Sequence, residues 1–323
     1  MAYMNARTRS QLIKRLANQA GFERCGIAPA VPIARADYVK NWLANGRAGT
    51  MDYMSRYFEM RLNPAEILED SRSVIVVSLS YHQSPPESLV AKSGKTVQGR
   101  IAKYAWGDDY HDVLKKKLFA IADELHATLE ESFSTKICVD TAPLIERELA
   151  AASGIGWIGK NTLVLNQEQG SFFFLGVIVT TLELAYDEPV LDHCGSCIAC
   201  LDACPTDAFP AAYEMDASRC ISYLTIEHRS DIPEKLSTQM GDWLFGCDVC
   251  QDVCPFNRHA PVTKEPRFEP HPLGSSVDVG EVLDWCVEDY RKHLRGSAMK
   301  RAKHEMWQRN AAIVKANSLN QVD

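Results

Sequence analysis

The chain has no apolar stretch long enough to cross a bilayer: none approaches ~18 uncharged apolar residues, and the longest run is broken at Thr180 and Glu183. Its opening, MAYMNARTRSQLIKRL, holds neither the apolar core of a secretory signal nor a twin arginine and passes at once into a helical pattern. The expectation is a cytoplasmic chain with no membrane contact. Positive charge is not in excess either, and a formal net charge of −7 excludes a surface that is a nucleic-acid platform throughout. Dispersed cysteines are also scarce. Eight of the eleven crowd between Cys194 and Cys254, and Cys25, Cys138 and Cys286 stand apart, read as buried small hydrophobes. In a reducing compartment such crowding, at two- and three-residue spacings, means metal and not disulfides. With 323 residues, 46% hydrophobic and 24% charged, the chain suffices for a large core and two or three packed units.

The apolar pattern predicts a helix over Thr8–Ala20, a strand over Cys25–Ala28 and a helix over Ile33–Asn45, with Pro29 and Pro32 between the last two. Val74 to Leu79 is a β-branched run suited to a buried strand, and a polar, proline-bearing loop from Gln83 to Gly99 follows, either mobile or a lid. From Asp109 to Phe133, Leu114, Leu118, Ile121, Leu125 and Leu129 recur along one helix face. Thr135–Val139 reads as a strand, Leu144–Ala152 as a short helix, and Ser171–Leu184 as a long strand or strand pair. This alternation predicts an α+β or α/β fold with a mixed sheet and helices packed on it. After Pro189 the composition turns to cysteine and proline. The expected units are an α/β domain over 1–188, a bacterial-ferredoxin-like domain over 189–262 and a helical segment over 263–323.

Cys194, Cys197, Cys200 and Cys204-Pro205 have the Cys-x2-Cys-x2-Cys-x3-Cys-Pro spacing of a two-cluster ferredoxin, and Cys247, Cys250 and Cys254-Pro255 supply a second half. Three thiolates at short spacing curl around one cluster while the fourth reaches the other. The second motif lacks its first cysteine, Trp243 and Leu244 standing there, so Cys220 is the substitute. The assignment is Cys194, Cys197, Cys200 and Cys254 for one 4Fe-4S cluster, and Cys204, Cys220, Cys247 and Cys250 for the other. Paired zinc sites prefer separated Cys-x2-Cys knuckles and do not match this tandem.

Gly154-Ile-Gly156-Trp-Ile-Gly159-Lys160-Asn161 fits G-x-G-x-x-G but follows a helix and leads to a strand, the reverse of a dinucleotide loop, and Asn161 stands where a phosphate loop has Ser or Thr. Asp140-Thr-Ala-Pro143 lies between a strand and a helix. Two readings stand for Asp140: a helix cap, or a carboxyl at a strand end, where open α/β sheets place their ligands.

Taken together, Val139-Asp140-Thr-Ala-Pro-Leu-Ile-Glu146-Arg147-Glu148, Gly154 to Asn161, Gly170-Ser-Phe-Phe-Phe-Leu-Gly176, the cysteine motifs, Arg219 to Ile226 and Gly246 to Asn257 resemble the epoxyqueuosine reductases, over residues 8 to 315. The resemblance implies reduction of epoxyqueuosine to queuosine at the tRNA wobble position, with cobalamin and two 4Fe-4S clusters; a low-potential electron donor and a monomeric chain are the accompanying expectations. It makes Asp140 the proton donor beside the corrin. An apolar pocket would raise the pKa of that carboxyl enough for it to hold the proton. The cobalamin pocket is then expected from Arg61, Tyr104, Asp140, Gly159, Lys160, Asn161 and Ser171, with ordinary surface packing as the rival account of Arg61 and Tyr104. No Asp-x-His-x-x-Gly corrinoid motif is present; the nearest, Asp109-Tyr-His111-Asp-Val-Leu114, ends in Leu. A histidine ligand to cobalt is therefore not expected, and His111 reads as a surface or hydrogen-bonding residue. Longer members of the family continue into helical repeats that help grip tRNA. Here the segment from Arg291 to Lys315, with eight Lys or Arg against Glu305, resembles the start of that region; its rival reading is a solvated amphipathic helix. Two other functions fit parts of the pattern: a corrinoid iron-sulfur reductive dehalogenase, a class that usually carries an export signal, and a non-catalytic electron carrier.

Overall fold

The computed structural model describes residues 4–84, 96–270 and 273–320. Among the described residues nine strands run in chain order: β1 Arg24–Pro29, β2 Ser73–Ser80, β3 Gln98–Ile101, β4 Thr135–Cys138, β5 Trp157–Ile158, β6 Val164–Leu165, β7 Phe173–Thr180, β8 Trp243–Phe245 and β9 Ser276–Asp278. Every residue of β2 is buried, and its two-residue period sends Ile75, Val77 and Leu79 into one core and Val74 and Val76 into another. A strand buried on both faces must be central, and it is. The main sheet has the order β1-β2-β7-β4, with every neighbouring pair antiparallel.

That sheet corrects the expectation of a mixed one. Helices between the strands gave the α/β appearance, but period and burial are the same for either strand direction, so the pattern could not separate them. On one face the helices Ala6–Gln19 and Tyr110–Thr128 lay Leu12, Ile13, Leu114, Leu118 and Ile121 against Ile75, Val77 and Ile178. On the other, Val39 of the helix Ala36–Ala44 and Leu149 and Ala150 of the helix Glu146–Ala152 meet Val74, Val76 and Val177. Each such Val, Leu or Ile side chain contributes roughly 1.5–3 kcal/mol by burial, which fixes the helices on the sheet. The long helix starts at a true cap, Asp109 accepting the His111 backbone N–H, and ends at Thr128, short of the expected Phe133. β7 is a single strand and not a pair.

A second, three-stranded sheet has the order β8-β3-β9, with β3 parallel to β8 and antiparallel to β9. It takes one strand from each of the three stretches separated by composition. The loop expected from Gln83 to Gly99 lies largely outside the described residues, at 85–95, and its last two residues, Gln98 and Gly99, already belong to β3.

The helix His304–Leu319 closes this region. Trp307 is buried and stacked on Phe245, with ring centroids 5.5 Å apart. Asn310 donates to the carbonyls of Thr225 and Leu244, and Arg309 to those of Leu224, His228 and Ser230. The helix is thus neither a solvated one nor a free basic arm, because Arg309 is used up in bracing the cysteine segment. Arg291, Lys292, Arg295 and Lys300, just before it, remain exposed. Cys286 is exposed too, its sulfur 3.0 Å from an Asp289 carboxylate oxygen at the start of the helix Val287–His293, which corrects the expectation that it is buried. Among the described residues no helix is long and apolar enough to cross a membrane.

Candidate active site between the sheet and the cysteine segment

The short helices Ala199–Asp202 and Val249–Asp252 pack together, each running into a Cys-Pro step, and they bring the eight clustered cysteines into two groups. Burial raises these thiols, and their mutual repulsion shows which stand together. Cys200, pushed up to about 11, feels Cys254, Cys194 and Cys197. Cys250 and Cys247 are pushed up by burial and by Cys220 and Cys204. Cys250 also feels Cys200, so the two groups adjoin, and Cys220 stands among the inner cysteines. Ligands of one zinc ion stand ~3.8 Å apart. No three His, Cys, Asp or Glu among the described residues are placed to hold a single ion.

The two groups differ in their surroundings. Cys197 is exposed and Cys194 and Cys200 are half-buried, while Cys254 of the same set is buried. Trp157 Nε1 is buried without an oxygen or nitrogen partner. Its neighbour is the Cys194 sulfur, whose pKa burial raises and the indole N–H lowers. A buried N–H aimed at a thiolate suits a cluster ligand, since hydrogen bonds to the sulfurs help set a cluster's potential. Cys204, Cys220, Cys247 and Cys250, by contrast, line a cavity of about 1680 Å³. That exceeds the ~300–1,000 Å³ of ordinary small-molecule sites.

The main sheet and the cysteine segment enclose the cavity together. Of the residues named for the cobalamin pocket, Arg61, Tyr104, Asp140, Asn161 and Ser171 line it. Gly159 and Lys160 do not. Lys160 Nζ donates to the carbonyls of Gly195, at 2.6 Å, and Cys197, at 2.9 Å, and so clamps the outer cysteine loop. A Cβ at Gly159 would meet Leu165 at 2.4 Å, because the hairpin of β5 and β6 folds over it. The loop lies as a hairpin because it follows a helix and not a strand. Ser171 serves as a joint: its Oγ accepts from Gln251 Nε2 at 3.0 Å and from Asn257 Nδ2 at 2.9 Å, and its N–H donates to Asn257 at 2.7 Å. Gly170 before it has φ +69°, and a Cβ there would stand 2.1 Å from Asn257 Oδ1. Only glycine allows the second cysteine motif to approach the sheet this closely.

Asp140 stands just beyond β4 with φ +56°, a conformation that non-glycine residues adopt at a cost and that clusters at functional sites. It caps no helix, which removes that reading. Its Oδ2 accepts from Tyr110 Oη at 2.9 Å and lies 3.3 Å from His111 Nε2. Its backbone N–H donates to Glu146 Oε1 at 2.7 Å. The side chain is 64% exposed, but what it faces is the cavity. Tyr110 is held by stacking on Phe174, with centroids 4.2 Å apart. His111 Nδ1 sits 2.7 Å from Asp109 Oδ1.

The protons in this group are not where sequence reasoning put them. Burial raises Asp140, but the hydrogen bonds from His111 and Tyr110 and the charges of His111 and Arg301 outweigh it and hold the carboxyl below its usual range. Burial lowers His111, but its bonds to Asp109 and Asp140 raise it to about 9. Burial and the Asp140 charge push Glu146 up to about 8. At neutral pH the imidazole and the Glu146 carboxyl therefore carry protons and Asp140 does not. Sequence reasoning gave Tyr110 and Glu146 no role and read His111 as a surface or hydrogen-bonding residue, of which the second holds. An Asp cap two residues before a histidine was the available signal.

Comparison with known proteins agrees with this architecture. Residues 193–257 match the 4Fe-4S double cluster binding domain, and residues 61–141 match the family described as Epoxyqueuosine reductase QueG, DUF1730. The chain is 41% identical over 307 residues to an epoxyqueuosine reductase of Cellulophaga algicola, covering 95% of this chain and 98% of the relative. It is 39% identical over 312 residues to that of Pseudomonas aeruginosa, covering 96% and 85%. A crystal structure of epoxyqueuosine reductase with an epoxyqueuosine-modified tRNA-Tyr stem loop superposes with a TM-score of 0.87 at 29% identity, covering 96% of this chain and 81% of that one. The enzyme from Bacillus subtilis, with a catalytic aspartate loop swung out of the active site, gives 0.85 at 29% identity, covering 95% and 82%.

Proposed function

The chain belongs to the epoxyqueuosine reductase family, and from that premise we propose that it reduces epoxyqueuosine in a tRNA anticodon to queuosine. The overall change converts an epoxide to an alkene: two electrons and two protons enter, both C–O bonds break, and the oxygen leaves as water. Electrons and protons must therefore meet in one enclosed place. The observation that carries the reading is that this cavity has the inner cysteine set and the Asp109–His111–Asp140 group in its lining or directly behind it.

The residues present fit the family's cofactors. Cys194, Cys197, Cys200 and Cys254 would hold one 4Fe-4S cluster and Cys204, Cys220, Cys247 and Cys250 a second beside the cavity; when bound, the two would pass single electrons from a low-potential donor. The cavity is large enough for a corrin together with a nucleoside. Leu144, Ile145, Ile158, Val164 and Leu175 offer apolar walls, while Arg61, Tyr104 and Asn161 offer polar contacts. Cobalamin there would supply a metal centre that takes single electrons and acts on the epoxide. The chain's own part is to exclude water, orient the nucleoside and bring protons to the departing oxygen through Asp140. In the cavity lining, Arg56, Tyr57, Arg229 and Arg301 offer basic and aromatic contacts suited to an anticodon stem loop, and Arg291, Lys292, Arg295 and Lys300 are exposed elsewhere in the C-terminal segment.

Anaerobic, cluster-loaded protein given epoxyqueuosine-containing tRNA and a low-potential reductant should form queuosine, seen by mass spectrometry of the nucleosides, only when cobalamin is added. No queuosine from protein that holds both iron and corrinoid would overturn the reading.

A further inference from the structure

Asp140 is ionised in its surroundings, yet the proposed reaction takes two protons past it. Its supply must come from a neighbour that is loaded when Asp140 is not. Asp109 Oδ1 accepts from the His111 backbone N–H at 3.0 Å and meets His111 Nδ1 at 2.7 Å, so the cap that starts the helix Tyr110–Thr128 also fixes the imidazole. With Nδ1–H on Asp109, the ring can point only Nε2 at Asp140 Oδ2. Among the described residues Asp140 Oδ1 makes no hydrogen bond and is left to the cavity.

We propose that His111, held by Asp109, is the proton source that loads the Asp140 carboxyl for each of the two protonations of the departing oxygen. This rests on the reductase reading above. In each pass the Nε2–H bond breaks and a proton joins Asp140 Oδ2. The carboxyl turns and gives the proton to the substrate oxygen, and the neutral imidazole, itself part of the cavity wall, takes up a proton from hydronium or buffer acid in the bulk solvent, the source of both protons consumed. The first pass leaves a hydroxyl on the departing oxygen, and the second completes water. No electron moves in either pass; the two electrons come from the reductant. Asp109 stays ionised throughout, since its bonds to His111 and the Lys115 charge outweigh the effect of its burial.

The charged groups around the pair agree with this order. Besides Asp109, the imidazole faces Asp140, while Tyr110 and Arg301 act on Asp140 from the helix start and from the C-terminal segment. Glu146 bonds the Asp140 backbone N–H and not its carboxyl, so its proton lies off this path. Arg61 feels Asp140 from across the cavity. His111 acts through Asp140 and is in that sense a positioning and supplying residue.

Asp109→Asn keeps a good helix cap and removes the charge behind the ring. Its turnover is expected to match the parent at pH 6 and to fall about tenfold below it at pH 8, where an ordinary histidine is neutral. His111→Gln should lower kcat at least tenfold at pH 7, with KM for tRNA, iron and corrinoid content unchanged. An Asp109→Asn loss equal at every pH would mark a structural role and overturn the proposal, as would a His111→Gln kcat within twofold of the parent. NMR titration of the oxidised protein labelled with 15N-histidine reads the same claim without tRNA. The His111 ring should stay charged to near pH 9 and lose its proton at lower pH in Asp109→Asn. A ring already neutral at pH 7 in the parent would overturn the relay whether or not the tRNA reaction runs, and a charged ring beside an inactive parent would overturn the reductase reading instead.

Discussion

Replacing Glu146 by Gln should change stability in a pH-dependent way, with no gain in acid and a clear gain in base. The Gln oxygen can still accept the Asp140 backbone N–H that Glu146 Oε1 accepts at 2.7 Å, so the substitution removes little besides a titrating proton. In the unfolded chain Glu146 loses that proton near the ordinary 4.5, whereas in the folded protein burial and the Asp140 charge hold it to about 8. Between those values the unfolded state binds fewer protons than the native state, so stability falls as pH rises. At 1.36 kcal/mol per pH unit the upper bound on this loss is about 5 kcal/mol. Water entering the wide cavity screens the carboxylate, and a discount for that leaves about 2 kcal/mol. Glu146→Gln should therefore match the parent at pH 4.5 and melt several degrees higher at pH 8.5. The measurement is anaerobic thermal unfolding of cluster-loaded, cobalamin-free protein at one scan rate, parent and variant side by side. An equal difference at both pH values, or a variant less stable at pH 8.5, would refute the reasoning.

Cys220→Ser should lower iron towards half while the cluster on Cys194, Cys197, Cys200 and Cys254 persists, as counted by iron analysis and electron paramagnetic resonance; full iron retention would remove Cys220 from the ligand set. Trp157→Phe, which deletes the buried N–H beside Cys194, should move one cluster to a more negative potential and leave the other in place, read by anaerobic redox titration. Tyr57 is 70% exposed at the cavity rim with φ +53°, a placement suited to stacking on an anticodon base. With stacking contributing ~1–3 kcal/mol, Tyr57→Ala should raise KM for tRNA about tenfold and Tyr57→Phe should not, as measured by steady-state kinetics.

Much of this protein was decided within short windows of sequence. Cysteine spacing assigned eight thiols to two sets, and Cys220 entered the second as the substitute that lets the count close at four and four. β2 announced itself by five apolar residues in a β-branched run, and the long helix by its repeating leucines, because burial on one face leaves a period that survives without coordinates. Strand direction left no such trace, so the main sheet was read as mixed when it is antiparallel. The Gly154–Asn161 stretch shows the same limit: sequence could rule out a dinucleotide loop from its neighbours, yet only the folded hairpin turned Lys160 towards Gly195 and Cys197 and away from the cavity.

The proton chemistry lay beyond sequence altogether. Asp140 was found from its motif, but its ionisation depends on which groups the fold sets around it. The fold brings the start of one helix, with Asp109, Tyr110 and His111, against a left-handed residue near the end of β4, with Glu146 behind it. A pKa is the sum of burial and nearby charge, and both are distances in space. The sequence by itself determined which residues can bind iron and carry protons; the tertiary structure decided which of them meet, and so which one holds the proton.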